Sequence, residues 1–275
     1  MPGGAAWLPT VPDQDQWQRE IRFAEKVQRC LLAAEPVALN RFAACGCSVP
    51  LFAVGGDYYD FVPLPDGGLR VVVADVMGKG FGAAMIMTMV RASVRAISPV
   101  CGSPGQLLRS VNHLLYDDMQ RLESFVVMLC LDLPKEGTAV RLASAGAPPP
   151  LLLRSAPSAV ERVQVRGVSL GLLPDREYRE AVLETEEGDL LVLYTDGIIE
   201  ARSAGGTELG WSGLGYLLQG EMAQPLPELV ESVIGQVASH GGAAGLRDDV
   251  TLVAVRVSQE REEGIGGAAG CRCRT

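Results

Sequence analysis

Histidine is nearly absent from this sequence: His113 and His240 are the only two among 275 residues. Cysteine is present seven times, but in no useful pattern. Cys45 and Cys47 lie two apart, as do Cys271 and Cys273. Neither pair is joined by a second pair or a histidine at zinc-finger spacing, which excludes a structural zinc site. The odd count and scattered positions also exclude a small-protein disulfide framework, so reduced thiols are expected. No cysteine sits in a Cys-x5-Arg phosphate loop, and no Gly-x-x-x-x-Gly-Lys-Ser/Thr motif is present. Basic residues are outnumbered, 24 Lys and Arg against 33 Asp and Glu, giving a net charge of -9. Nucleic-acid phosphates require a basic surface, so a nucleic-acid partner is excluded. No apolar run is expected to reach the roughly 20 residues that span a bilayer. Residues 1–10 lack the basic stretch and apolar core of a secretory leader. A cytoplasmic protein without a membrane partner is the expectation.

The composition is 48% hydrophobic, sufficient for a sizeable core. No long Pro/Ser linker divides the middle, so one large domain with terminal extensions is expected, without internal repeats. Residues 1–11 are Gly/Ala/Pro-rich and are expected to be loose. From Asp13 to Ala33, Trp17, Ile21, Ala24 and Leu31 recur near helical spacing, and Pro36 follows. Residues 42–76 read as strands. Residues 80–98 read as a buried helix stopped by Pro99, with Met85, Met87 and Met89 as core filling. A second helix runs from Pro104 to Arg121 and carries His113 on its surface. Strands return at Phe125–Leu133 and Ala139–Ala143, and Pro148 to Pro150 mark an edge or bend. Leu190–Tyr194 is apolar throughout, as a strand buried on both faces should be. Residues 211–219, with Trp211 packing against a helix, and 225–239 read as helices. Val250–Val257 alternates as a strand, and the chain beyond Ser258 reads as disordered. This order predicts a sheet-rich α+β layer structure.

The most informative stretch is Gly55-Gly56-Asp57-Tyr58-Tyr59-Asp60-Phe61, followed by Pro65-Asp66-Gly67 and Leu69 to Asp75. Proline presets the first turn position, aspartate suits the second and glycine takes the left-handed third. A three-residue loop makes Leu64 face Gly68, Tyr59 face Val73 and Asp57 face Asp75. A two-residue loop would instead place Val76 opposite Asp57. Like charges directly across a hairpin repel, and two buried carboxylates need a shared proton or a cation between them. A hard divalent cation, Mg2+ or Mn2+, suits such oxygens. Asp196, before Gly197, ends the strand Leu190–Tyr194, and Asp248-Asp249 opens the strand at Val250. Three strand ends bearing acids point to one rim. Asp60 is expected to be structural. Gly78-Lys79-Gly80 joins Asp75 to a helix, where Lys79 is a candidate for phosphate binding.

At these residues the sequence resembles the bacterial PP2C-like (PPM) serine/threonine phosphatases of the sporulation-stage-II-E and sigma-regulation type. The resemblance rests on Gly-Gly-Asp-Tyr-Tyr-Asp-Phe at 55–61, Asp-Val-Met-Gly-Lys-Gly at 75–80 and Ser-Ala-Gly-Ala-Pro-Pro-Pro at 144–150. Leu170-Gly171-Leu172, Tyr-Thr-Asp-Gly-Ile-Ile-Glu-Ala-Arg at 194–202 and Asp-Asp-Val-Thr-Leu at 248–252 follow in the family's order. It covers roughly residues 20–257 and implies an α+β fold: a β-sandwich of two antiparallel sheets flanked by helices, with two Mn2+ or Mg2+ ions at one end. It implies Asp57 and Asp75 as ligands, Asp75 bridging, with the Val76 carbonyl, Asp196 and Asp248, or Asp249 as the alternative to Asp248. It departs from the family at Ala147, where a histidine or other polar residue is usual and substrate contacts are implied. The implied activity is hydrolysis of phosphoserine or phosphothreonine on an anti-anti-sigma-type regulator. A catalytically weak phosphoprotein binder and a small-molecule phosphohydrolase are the rival readings. The expected division is a loose segment 1–11, a regulatory helix 12–35, a phosphatase domain 36–257 and a tail 258–275. About 35 residues before the first strand are too few for a sensory domain, so control by a partner or by dimerisation through the helix is expected.

Overall fold

The computed structural model describes residues 13–32, 35–155, 159–242 and 245–259. Of the segments expected to be loose, 1–11 lies outside them, as does the tail 258–275, with Cys271 and Cys273, except for Ser258 and Gln259; Ser258 N donates to Arg41 O at 2.7 Å. Helix α1 (Gln14–Leu31) starts at a capping box: the Asp13 carboxylate accepts from Gln16 N at 2.7 Å, and the Gln16 side chain accepts from Asp13 N at 3.1 Å. Its inward stripe is Ile21, Ala24, Gln28 and Leu31, and the buried member is the glutamine. Trp17, expected on that stripe, is exposed.

Strands β1 (Val37–Leu39), β2 (Phe42–Val49), β3 (Tyr58–Pro63) and β4 (Leu69–Val76) precede helices α2 (Phe81–Ile97) and α3 (Pro104–Arg121). Strands β5 (Val126–Leu133), β6 (Ala139–Ala145), β7 (Leu151–Arg154), β8 (Ala159–Arg162), β9 (Glu180–Glu184) and β10 (Leu190–Tyr194) follow. The short helix α4 (Asp196–Ile199), then α5 (Gly210–Glu221), α6 (Leu226–His240) and β11 (Val250–Val257), complete the order. One sheet runs β1-β2-β11-β10-β7-β8 and the other β3-β4-β5-β6-β9, with every ladder antiparallel.

The period-2 alternation of the strands sorts their side chains into layers. On β3 and β4, Tyr58, Val62, Val72, Ala74 and Val76 face α2 and α3, where they meet Met87, Val90, Leu107, Val111 and Met119. Tyr59, Phe61, Val71 and Val73 face the other sheet and meet Leu191, Leu193, Val253 and Val255. The far side of that sheet packs Leu190, Val192, Leu252 and Ala254 against α5 and α6. The result is an α-β-β-α sandwich, the predicted architecture.

The β3–β4 hairpin has the three-residue loop. Leu64 N donates to Gly68 O at 2.9 Å, Gly67 N donates to Leu64 O at 3.0 Å, and Gly67 has φ +84°. Tyr59 pairs with Val73 and Phe61 with Val71, as the turn chemistry predicts.

Several expectations need correction. Helix α2 is amphipathic rather than buried: Met87 is enclosed, but Met85 is 72% exposed and Met89 also reaches solvent. Methionine at alternate positions places neighbours 200° apart on a helix, so one of the three faces inward. The stretch Phe81–Val100 does reach the length and mean hydropathy of a membrane span. In this fold Ala83, Met87, Val90 and Val94 pack it on the sheet, and Arg95 pairs with Asp60. Cys30, Cys101 and Cys130 are free thiols as expected, but Cys47 is disulfide-bonded. His113 is exposed on α3, and Trp211 lies under the Arg162 guanidinium, 5.4 Å from its ring centroid. Ala147 packs against the core between the sheets.

Candidate metal centre

The inner face of the sandwich changes character at one end. Along β3 it reads Phe61, Tyr59, then Asp57; along β4, Val71, Val73, then Asp75. The last paired residues are Tyr58 and Ala74, so Asp57 and Asp75 stand one step further along the same register. From the facing sheet, β10 continues through Leu191 and Leu193 to Thr195, and β11 begins with Thr251. The apolar layer therefore ends in carboxylates on one wall and hydroxyls on the other.

Asp57 is 3% exposed. Its Oδ2 accepts from Thr195 Oγ1 at 2.8 Å and from Thr251 Oγ1 at 2.6 Å, while its Oδ1 has no hydrogen-bond partner. Burial, then the neighbouring Asp75 charge, pushes the Asp57 carboxyl well above its ordinary pKa, against the two hydroxyl bonds. Asp75 is pushed up to about 7 by burial and then by Asp196, Asp248 and Asp249. Asp196, the first residue of α4, is raised by burial and then by Asp248. The sandwich thus brings all five predicted aspartates into one electrostatic neighbourhood.

They do not play equal parts. Asp249 is buried, and both its oxygens are taken by backbone N–H groups, Leu51 at 2.7 Å and Gly56 at 2.7 Å. Asp248 is part-exposed and pairs through Oδ2 with Lys79 Nζ at 2.7 Å. Lys79 also donates to the Arg247 carbonyl at 2.5 Å. Among the described residues, no three His, Cys, Asp or Glu side chains close around a common point. The bonding explains this: both oxygens of Asp249, both of Asp248 (Oδ1 accepting from Asp249 N at 2.9 Å, Oδ2 facing Lys79) and one of Asp57 are directed at protein donors. The orphaned Oδ1 of Asp57, the raised Asp75 and the all-oxygen donor set fit a hard divalent cation. The Val76 carbonyl lies within 2.9 Å of where a side chain on Gly56 would begin, so glycine leaves it uncovered. Asp60 is separate from this group. It is fully buried on the helix side, bonded by Arg95 at 2.6 and 2.7 Å and by Tyr58 Oη at 2.8 Å.

The sequence reading assigned no role at this site to Thr195, Thr251 or Gln28. The first two carried a signal: each stands at an inward-facing strand-end position where Leu or Val would continue the core. A cavity of about 800 Å³ lies along residues 164–168, 176, 177 and 179–181 and contains none of these acids. A smaller one of about 170 Å³ opens beside Lys79, Gly197, Glu200, Arg247 and Asp248. A rim that receives a phosphate on a protein side chain needs no deep apolar cavity.

The four-layer sandwich, acidic at one end, defines a PP2C-like protein phosphatase. Residues 65–258 match the stage II sporulation protein E (SpoIIE) family, and the chain belongs to that family. The chain is 27% identical over 243 residues to the phosphoserine phosphatase RsbU of Bacillus subtilis, covering 88% of this chain and 71% of RsbU. Its fold matches the SiaA-PP2C domain of Pseudomonas aeruginosa with a TM-score of 0.76 at 20% identity, covering 90% of this chain and all of that domain. It also matches RsbX, whose structure is in complex with magnesium, with a TM-score of 0.59 at 14% identity over 82% of this chain and all of RsbX. Phosphatases of this class are metal-dependent.

Proposed function

We propose that the chain hydrolyses phosphoserine or phosphothreonine on a partner protein of the anti-anti-sigma type, in the cytoplasm, with Mn2+ or Mg2+ as cofactor. The observation that carries this reading is Asp57: a buried carboxylate with one oxygen unpartnered, beside a second carboxylate, with no arginine or lysine among the described residues bonded to either. The ligands of two ions are Asp57, Asp75, the Val76 carbonyl, Asp196 and Asp248. Asp248 is preferred over Asp249 because it is part-exposed and bonded only by the adjacent Asp249 N–H and by Lys79, whereas buried Asp249 is tied to the Leu51 and Gly56 N–H groups. Bound there, the ions supply positive charge for the phosphate and an acidified water as nucleophile. Thr195 and Thr251 hold Asp57 in place through its Oδ2. Lys79 steadies Asp248 and brings a positive charge to the rim where the phosphate enters. Residues 36–257 form the catalytic domain, and residues 12–35 form its regulatory helix. Phe23 and Val27 of α1 and Phe81 and Met85 of α2 are exposed and line one groove, which supports a homodimer through α1.

Phosphate release from a phosphorylated anti-anti-sigma-type protein, with and without Mn2+, tests the reading. Release that requires Mn2+ and falls roughly 100-fold or more in Asp75→Ala is expected, the scale of losing one electrostatic stabiliser. Equal release by the mutant overturns the role of Asp75. The hold of Lys79 on Asp248 favours one second reading, a slow enzyme that mainly binds its phosphorylated partner. Stoichiometric binding of the phosphoprotein without turnover distinguishes it.

A further inference from the structure

The side chain of Gln28 is the buried residue of α1, a helix that otherwise presents few enclosed groups to the domain. Its amide grips one residue of the loop before β3 on both sides. Gln28 Nε2 donates to Gly55 O at 2.6 Å, and Gly55 N donates to Gln28 Oε1 at 3.0 Å. This pair replaces the ladder bonds that Gly55 would make in a strand.

Gly55 is packed where no other residue fits, because a Cβ there would collide with the Asp249 carboxylate. The next residue, Gly56, donates its N–H to Asp249 Oδ2 at 2.7 Å and faces the Val76 carbonyl. The residue after that is Asp57. Three consecutive residues therefore carry the grip of Gln28, the anchor of Asp249 and the unpartnered carboxylate oxygen. A separate attachment of α1 does not bond Gly55: Arg91 of α2 donates through Nε to Leu31 O at 2.6 Å.

From this geometry we infer that Gln28 is a positioning residue for the metal centre, holding the Gly55–Asp57 segment so that Asp57 and the Val76 carbonyl stay aligned for a divalent cation. The inference rests on the proposed metal-dependent reading of the same site. Without the amide, Gly55 has no partner for either backbone group, and the loop gains freedom at the residue next to Gly56. Partners one bond removed from metal ligands commonly set affinity by roughly 10- to 100-fold. Methionine matches glutamine in length and flexibility but lacks the amide, so Gln28→Met removes the grip with little change in bulk.

Calorimetric titration of the full chain with Mn2+ tests this, alongside thermal melting of the metal-free proteins. Gln28→Met should weaken Mn2+ binding about 10-fold or more. Arg91→Met, which loosens α1 without touching Gly55, should weaken it by less than threefold, and Gln18→Met on the solvent face should change nothing. If Gln28→Met does not yield folded protein, Gln28→Leu serves in its place. Mn2+ affinity within twofold of the parent in the Gln28 variant overturns the inference, as does an equal loss in Arg91→Met, which assigns the effect to helix docking alone. A parent chain that takes up no Mn2+ overturns the metal-dependent reading instead, so the two failures are distinguishable.

Discussion

The two faces of the β3–β4 hairpin treat buried acid in opposite ways. On the helix-facing side, Asp60 meets Arg95, and Asp132 of the neighbouring β5 meets Arg70 with bonds of 2.7 and 2.8 Å. Arg70 is itself fully buried and adds bonds to the Ser98 and Cys101 carbonyls. Both of these buried acids have a guanidinium. On the inner side, Asp57 and Asp75 have hydroxyls, each other and further acids. Two residues separate Asp57 from Asp60 in one continuous motif, yet only Asp60 is neutralised by the protein. A buried acid that the fold neutralises is architecture; one left without a basic partner suits the cation proposed above.

That contrast can be broken most forcefully at Asp132. Asp132→Ala leaves Arg70 buried without its counter-charge and should cost about 3–5 kcal/mol in denaturant unfolding, with Mn2+ affinity unchanged in whatever fraction folds. A milder comparison exchanges the two aspartates of the motif. Asp60→Asn should destabilise by about 2 kcal/mol, the scale of hydrogen bonds to a charged group. Asp57→Asn should stabilise the metal-free protein above neutral pH, because burial and the Asp75 charge disfavour the ionised carboxyl, and should abolish stabilisation by Mn2+. If both substitutions destabilise equally, the two faces do not differ as described.

The finest test uses pH. Asp75 titrates at about 7 in the fold against 3.8 as a free side chain, so the folded state holds its proton longer than the unfolded chain does. The unfolded state therefore binds fewer protons between those values, and metal-free stability falls as pH rises from about 4 through 7. Asp57 shifts the same way and adds to the slope. Melting temperatures measured across that interval should decline without Mn2+ and decline less, or rise, with it, because cation binding favours the deprotonated pair. A flat profile without metal would contradict the raised carboxyls.

Much of this was written locally in the chain. Pro65-Asp66-Gly67 determined the loop, the loop determined the register, and the register placed Asp57 level with Asp75. The strands at 126–133, 190–194 and 250–257 were legible because their apolar runs are long. Strands β7, β8 and β9 were not: they span four or five residues each, too short for a period to emerge beside Pro148 to Pro150. The different fates of Asp248 and Asp249 were illegible for another reason. Adjacent identical residues differ only in which side of the strand they leave from, and the donors for Asp249, Leu51 N and Gly56 N, are backbone groups nearly 200 residues away. Gln28 is the same case, since a glutamine in a helix full of Gln and Arg carries no mark of burial.

The alternation that sorts core from helix layer also sorts Asp57 and Asp75 into the gap between the sheets, and this limits how the gene can vary in length. One residue inserted between Phe61 and Asp57, or between Val71 and Asp75, would rotate that carboxylate into the company of Arg70 and Arg95, where a guanidinium would claim it. The hairpin tip at Pro65–Gly67 lies at the opposite end of both strands, as does the Lys135–Gly137 turn. Additions there leave the alternation upstream intact, so length polymorphism in relatives belongs at those tips and deletions within the strands should be lethal to activity before they are lethal to folding.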